Sequence, residues 1–108
     1  MELLEYTTDD GASPFARWFD RLNAPAALKV RRALAQMEAG NFANTKSVGG
    51  GVRERVIDFG PGYRVYFGRI GDEWVILLGG GTKKRQQHDI DTAKLLWTRY
   101  KAQRRKGE

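Results

Sequence analysis

Arginine side chains recur in two neighbouring strand-like segments, and their chemistry suits phosphate. Arg53 and Arg55 alternate within Val52–Phe59, and Arg64 lies in the next such segment, Tyr63–Ile70. A guanidinium presents a planar fork of donors that fits the oxygens of a phosphate group. If the three arginines share one face of a sheet, they form a phosphate-binding surface. Solvated arginines on an outward face are the alternative.

A second basic group follows a run of three glycines at residues 79–81. We expect the strand before it to end at these glycines, and we expect Thr82 to cap a C-terminal helix. The first positions of that helix are basic: Lys83, Lys84 and Arg85. Cations there oppose the helix macrodipole, whereas backbone amides and cations together at a helix start favour a bound phosphate.

The single histidine, His88, is the one side chain whose ordinary pKa lies near neutrality, which makes it a candidate proton carrier. Its alternative interpretation is an exposed residue of the helix. Asp89 and Asp91 are predicted to stabilise the first turns of that helix rather than to react.

Length and composition restrict the class of protein. The chain has 108 residues, of which 41% are hydrophobic and 30% charged, as expected for one globular domain, residues 1–108. The absence of cysteine excludes disulfides and thiolate chemistry, and one histidine excludes a histidine-rich metal cluster, so no metal or cofactor is predicted. No apolar run reaches the roughly 20 residues that span a bilayer, and no signal peptide is evident. We therefore expect a cytoplasmic protein with no membrane partner.

The net charge of +6 is concentrated near the end of the chain. Residues 83–108 contain nine basic and three acidic residues, whereas residues 1–82 contain ten of each. Residues 98–108 form a basic C-terminal extension. A localised positive region suits a polyanion, and a solubilising tail is the alternative.

The spacing of apolar residues predicts an α+β fold. A short strand at Leu3–Tyr6 precedes two helices, which begin after Ser13 and Asn23 because each is a good N-cap followed by proline. Residues 41–51 are predicted to be a loop. Three antiparallel strands and a helix then follow, giving the order β-α-α-β-β-β-α. We expect a mostly antiparallel four-stranded sheet with the two N-terminal helices on one face, and Arg64 on the open face.

Four sequence words in this order resemble those of one protein superfamily. They are GNF at residues 40–42, KSVGGGVRE at 46–54, GPGYRVYF at 60–67, and GGTKKRQQHDI at 80–90. Together they resemble the RelE/ParE superfamily of toxins from type II toxin–antitoxin modules, in particular the phage-derived, HigB-like "addiction module killer" branch. The similarity extends from about residue 15 to residue 97.

This resemblance implies a RelE-like fold whose sheet holds mRNA, and a set of basic active-site residues. The implied catalytic residues are Arg55, Arg64 and Lys84, with His88 as the candidate acid or base. The sequence departs from the family pattern at Ile57, where a second basic position is expected, and around His88 and Ile90. The residues expected to bind RNA are Lys46, Arg53, Lys83 and Arg85.

Superfamily members act in two different ways, and both remain open for this sequence. One class cuts mRNA on the translating ribosome, by attack of the RNA 2′-hydroxyl, which needs a proton acceptor, a proton donor and positive charge on the phosphate. The other class inhibits DNA gyrase by binding. A basic domain that binds nucleic acid without chemistry is a third interpretation. The resemblance also implies a cognate helix-turn-helix antitoxin as partner, in a hetero-oligomer.

Overall fold

The computed structural model describes residues 1–107, which form an α+β fold around one five-stranded sheet. The strands are β1 (Glu2–Glu5), β2 (Thr45–Gly49), β3 (Val52–Ile57), β4 (Tyr63–Ile70) and β5 (Trp74–Thr82). The helices are α1 (Pro14–Phe19), α2 (Ala24–Glu38) and α3 (Gln86–Lys106), and a 3₁₀ turn (Lys83–Arg85) precedes α3. Among these residues, no helix is both long enough and apolar enough to cross a membrane.

The sheet has the order β1-β5-β4-β3-β2, with β1 parallel to β5 and every other pair antiparallel. The prediction of four strands is therefore wrong, because the sheet has one more. Part of the segment predicted to be a loop, residues 41–51, forms β2, which pairs with β3 through a glycine hairpin. Gly49, Gly50 and Gly51 all have positive φ, so the glycines supply the tight turn rather than a loose linker.

The two N-terminal helices begin where the sequence predicts. Ser13 Oγ accepts a hydrogen bond from the Ala16 amide (3.0 Å), and Asn23 Oδ1 accepts one from the Ala26 amide (2.9 Å). These caps satisfy amides that have no partner within the helix. Both helices cover one face of the sheet, where they bury Phe15, Val30, Met37, Val65 and Phe67, among others.

Helix α3 covers the other face, which the sequence analysis predicted to be open. Ile90, Ala93, Leu96 and Trp97 pack there against Val52, Tyr66, Ile76 and Leu78. Arg64 lies on this face as predicted, opposite in parity to Val65, but it is only 9% exposed. The sheet is thus the middle layer of three.

The predicted boundary between β5 and the last helix is also wrong. β5 does not stop at the glycine run but continues through residues 79–81 to Thr82. Lys83, Lys84 and Arg85 form a 3₁₀ turn before α3, and the Thr82 hydroxyl makes no capping hydrogen bond. The predicted basic extension continues α3 to Lys106; its last residue, Glu108, lies outside the described residues.

Candidate functional site

A buried carboxylate lies between the sheet and the start of α3. Glu54 has no exposed surface, although burial of a carboxylate is costly unless it is paired. Gln86 Nε2 donates a hydrogen bond to Glu54 Oε2 (2.9 Å). Arg64 Nε lies 3.7 Å from the same oxygen, and Lys46 Nζ lies 3.7 Å from Oε1. One negative charge is thus shared by two cations and an amide.

The strand register brings these residues together. Glu54 pairs with Lys46 of β2 on one side and with Tyr66 of β4 on the other. Directly paired residues of neighbouring strands point to the same face. Arg64 lies two residues before Tyr66, so it shares that face. We call Lys46, Glu54, Arg64, Tyr66 and Gln86 the Glu54 cluster.

The guanidinium of Arg64 is held at two points and has a donor without a partner. Arg64 Nη1 donates a hydrogen bond to the Gly62 carbonyl (3.1 Å), which also accepts from the Lys83 amide (3.0 Å). A Cβ at residue 62 would lie 3.2 Å from Nη1, and φ there is +79°, so the close approach requires glycine. The buried Arg64 Nε has no hydrogen-bond partner among the described residues.

Tyr66 contributes a buried hydroxyl close to the Glu54 carboxylate. Burial, and then the negative charges of Glu54 and Asp89, raise the pKa of the Tyr66 phenol far above its ordinary value. The phenol, already protonated at neutral pH, thus keeps its proton at higher pH as well. It can act as a hydrogen-bond donor in this cluster.

Glycines in β5 allow two side chains to lie directly on the strand. A Cβ on Gly80 would overlap the Trp18 ring, and one on Gly81 would overlap the Asp89 carboxylate. Burial raises the pKa of Asp89, and the nearby Arg85 and His88 side chains act in the opposite direction. The glycine run thus makes room for an indole on one face and a carboxylate on the other.

The exposed basic residues predicted for the site surround the start of α3. Lys83, Lys84, Arg85 and His88 are all exposed, in the 3₁₀ turn and the first turn of α3. Lys83 is joined to the Arg64 side chain through the shared Gly62 carbonyl. Lys46, also predicted, keeps 62% of its side chain exposed beside Glu54.

Two predicted residues lie elsewhere, and this corrects the expectation of a shared arginine surface. Arg53 pairs with Phe67 and Arg55 with Val65, so both point to the α1 and α2 side of the sheet, away from Arg64. Arg55 donates hydrogen bonds to Gln36 Oε1 (2.7 Å) and the Val56 carbonyl, and Arg53 to Thr45 Oγ1 (3.1 Å). Arg55 and Arg64 therefore do not clamp one phosphate.

Arg55 lines a separate cleft of about 320 Å³ under α2, together with Lys29, Arg32 and Asp58. Burial lowers the pKa of its guanidinium. No salt bridge joins Arg55 to a carboxylate within the described residues. Its surroundings differ from those of Arg64 in this respect.

Sequence reasoning missed Glu54, Tyr66 and Gln86 as members of a site. One signal for Glu54 was present: its strand neighbours of the same parity, Val52 and Val56, are apolar, so a charge between them has to be paired inside the fold. Nothing in the sequence pattern placed Gln86 against it. That contact depends on where α3 begins.

The arrangement can bind an anion and support proton transfer near it. Arg64 and Lys46 supply positive charge, Tyr66 can donate a hydrogen bond, and Glu54 fixes the cations in place. No three His, Asp or Glu side chains converge on a metal site in residues 1–107.

No model of a known protein family matches the chain. The chain is similar to an uncharacterized protein of Haemophilus influenzae. The two are 43% identical over 83 residues, which make up 76% of this chain and 84% of the relative. At this identity and coverage, the chain belongs to the same protein family as that Haemophilus influenzae protein.

Proposed function

We propose that this chain is the toxin of a type II toxin–antitoxin module and that it cleaves mRNA on the translating ribosome. The observation that carries the proposal is the environment of Arg64. This guanidinium is nine-tenths buried, fixed by a carbonyl and faced by a carboxylate, and one of its donors is unused. The RelE/ParE-like sequence words lie in the same elements, since KSVGGGVRE contains Lys46 and Glu54 and GPGYRVYF contains Arg64 and Tyr66.

In the proposed reaction the 2′-hydroxyl loses its proton and attacks the adjacent phosphorus, the bond from phosphorus to the 5′-oxygen breaks, and the 5′-oxygen takes up a proton, which leaves a 2′,3′-cyclic phosphate and a 5′-hydroxyl. Residues of the cluster and of the basic turn before α3 support this step. Arg64 stabilises the negative charge that grows on the phosphate oxygens in the transition state. Glu54 keeps the guanidinium in place, which makes it a positioning residue because it is fully buried. Lys46, Lys83, Lys84 and Arg85 hold the flanking phosphates.

Proton transfer is assigned to His88, the exposed imidazole at the start of α3. Tyr66 lies on the same face of the sheet as Arg64, and its phenol can donate a hydrogen bond. The reaction uses the 2′-hydroxyl of the RNA itself as nucleophile, so the proposal needs no metal or organic cofactor. Arg55 lies on the opposite face and has no contact with this phosphate.

The proposed activity places the protein in the cytoplasm and implies a cognate antitoxin. A helix-turn-helix protein that binds this chain in a hetero-oligomer is the expected partner, because a toxin has to be inhibited in its own host. Ribosome and mRNA are the targets.

One observation favours gyrase inhibition as a second candidate. The basic residues that the family resemblance implies are not all assembled: Arg55 lies across the sheet from Arg64, and Lys84 and His88 are exposed. A toxin that acts only by binding does not require them to converge.

The experiment that tests the proposal adds the purified chain to ribosomes stalled on a defined mRNA and maps new 5′ ends. We expect cuts within codons that require the ribosome and disappear with Arg64→Ala. DNA supercoiling by gyrase is measured in parallel. Intact mRNA together with inhibited supercoiling would replace the first candidate by the second.

A further inference from the structure

A groove runs between α1, with the loop before it, and the last turns of α3. Its volume is about 960 Å³. Its lining includes four basic side chains, two on each side: Arg17 and Arg21 from α1 and the residues after it, and Arg99 and Lys106 from α3. None of them belongs to the Glu54 cluster. The groove is therefore a second positively charged surface.

Helix α3 leaves the core where it enters this groove. Its buried residues end at Trp97, whereas Arg99, Gln103 and Lys106 lie at i, i+4 and i+7 and line the groove. Residues at this spacing form one face of a helix. That face carries no acidic residue, because the last acid of α3 is Asp91.

The charge in the groove is available for an external partner. Arg17, Arg21 and Arg99 are exposed, and none forms a salt bridge with another described residue. The acidic lining residues are Asp9 and Asp10. The Asp10 carboxylate already accepts hydrogen bonds from the Thr8 hydroxyl and the Ala12 amide (3.3 Å) in its own loop. Positive charge is thus in excess, and it faces solvent.

The groove continues into the region of the candidate site. A smaller cleft of about 130 Å³ shares Pro14 and Arg21 with it. This cleft is lined by Tyr66 and Asp89, together with Trp18, Gly79 and Gly80. A bound polymer that extends from the Glu54 cluster past Tyr66 therefore reaches Arg21 and then the rest of the groove.

We propose that this groove binds the phosphate backbone of single-stranded RNA on one side of the position that is cut. This inference rests on the proposed function, since it extends the path of that substrate. The contact is with phosphates and not bases, because the aromatic ring in the lining, Tyr6, is only 3% exposed and offers no stacking surface. Binding therefore has no sequence preference. An acidic protein segment carries similar charge, but the adjoining cleft reaches Tyr66, a member of the Glu54 cluster, and this favours the polymer on which that site acts.

The test measures binding of a fluorescein-labelled single-stranded RNA of about 12 nucleotides by anisotropy, across about 50 to 200 mM salt. Arg21→Glu/Arg99→Glu changes one cation on each wall. Lys101→Glu/Arg105→Glu is the matched control, since it makes the same change of charge at exposed positions of α3 outside the groove. All proteins are checked for equal thermal melting.

We expect the groove variant to bind RNA at least tenfold more weakly than the control variant at the lowest salt. Loss of two phosphate contacts makes the slope of log affinity against log salt less negative by about 1.4. Equal losses in the two variants would overturn the inference, because they would report only net charge. A glutamate peptide of equal charge that binds the groove more tightly than RNA would assign it to an acidic protein segment instead.

The outcome is separable from that of the proposed function. Suppose that the parent chain cleaves mRNA on the ribosome and that the groove variant binds RNA as well as the parent does. The proposed function would then be supported, and the RNA-binding role of the groove would be rejected. Groove-dependent RNA binding by a chain that cuts no mRNA would do the reverse.

Discussion

Two buried arginines on neighbouring strands have opposite surroundings. Arg55 and Arg64 are 8% and 9% exposed, but they lie on different faces of the sheet. Arg55 is held under α2 by the neutral Gln36 side chain and a backbone carbonyl. Arg64 lies under α3 and faces the carboxylate of Glu54.

The difference shows that burial alone does not identify a functional arginine. At Arg55, burial lowers the pKa, and no carboxylate among the described residues offsets the cost of a buried charge. At Arg64, the opposite charge of Glu54 is present. Each arginine has a buried Nε without a hydrogen-bond partner among the described residues, so the counter-charge is what distinguishes the two sites. The first arrangement supports the packing of α2, whereas the second can exchange an internal partner for a phosphate.

Removal of Glu54 is expected to have the largest effect on stability. Glu54→Ala leaves the buried guanidinium of Arg64 without its counter-charge, which typically costs about 3–5 kcal/mol of unfolding free energy. Gln36→Ala is the corresponding change beside Arg55, and it removes one hydrogen bond from a charged group, worth about 1.5–3 kcal/mol. Urea denaturation of the two variants measures both. Equal losses would show that the two arginines are held in the same way.

A smaller effect is expected where α3 closes against β5. Gly81→Ala places a methyl group into the Asp89 carboxylate, and the overlap costs about 1–3 kcal/mol. Gly79→Ala is the control, because a Cβ there meets nothing within 4 Å. Thermal unfolding distinguishes them. A Gly81→Ala variant as stable as Gly79→Ala would mean that Asp89 moves aside freely and that this face is loosely packed.

The smallest effect concerns the pH dependence contributed by Asp89. Its folded pKa is raised by burial, so its contribution to folding is most favourable below the ordinary value of 3.8 and is lost as pH rises through the folded pKa. Asp89→Asn removes this loss. We expect the variant to gain stability relative to the parent between about pH 4 and pH 7, by less than about 1 kcal/mol because the carboxyl is partly exposed.

Chemical denaturation at several pH values measures this difference, with Asp91→Asn as a control at an exposed position of the same helix. A gain at Asp91 equal to that at Asp89 would assign the effect to net charge. A loss of unfolding free energy in Asp89→Asn that grows with pH would show that the ionised carboxylate stabilises the fold, which is the opposite of the expected sign.

Much of the fold could be predicted from local chemistry. Ser13 and Asn23 mark helix starts because their side chains accept amide hydrogen bonds, and the parity of Tyr63, Val65 and Phe67 identifies the side of β4 that packs against α1 and α2. Strand β2 was missed because only Thr45 and Val48 of its five residues favour strands, and because its last residue, Gly49, begins the run of three glycines. Its pairing with β3 comes from tertiary contact rather than from local preference.

The candidate site was harder to predict. Alternation shows which residues of one strand share a face, but it does not show which face of the neighbouring strand lies on the same side of the sheet. The sequence places Arg55 and Arg53 on one face of β3 and Arg64 on one face of β4. Whether these faces coincide depends on the hairpin register, in which Ile57 pairs with Tyr63. A shift of one residue would have put all three arginines on the same side. Only the register excludes it.

The most direct test of the central claim compares the two arginines as lysines. Lysine keeps the charge but loses the planar fork of donors, so both variants should stay folded. Single-turnover cleavage of mRNA on programmed ribosomes should fall by about 10²-fold for Arg64→Lys and by less than about threefold for Arg55→Lys. Equal loss in both variants, or full activity in Arg64→Lys with an unchanged melting temperature, would contradict the assignment of the α3 face as the functional one.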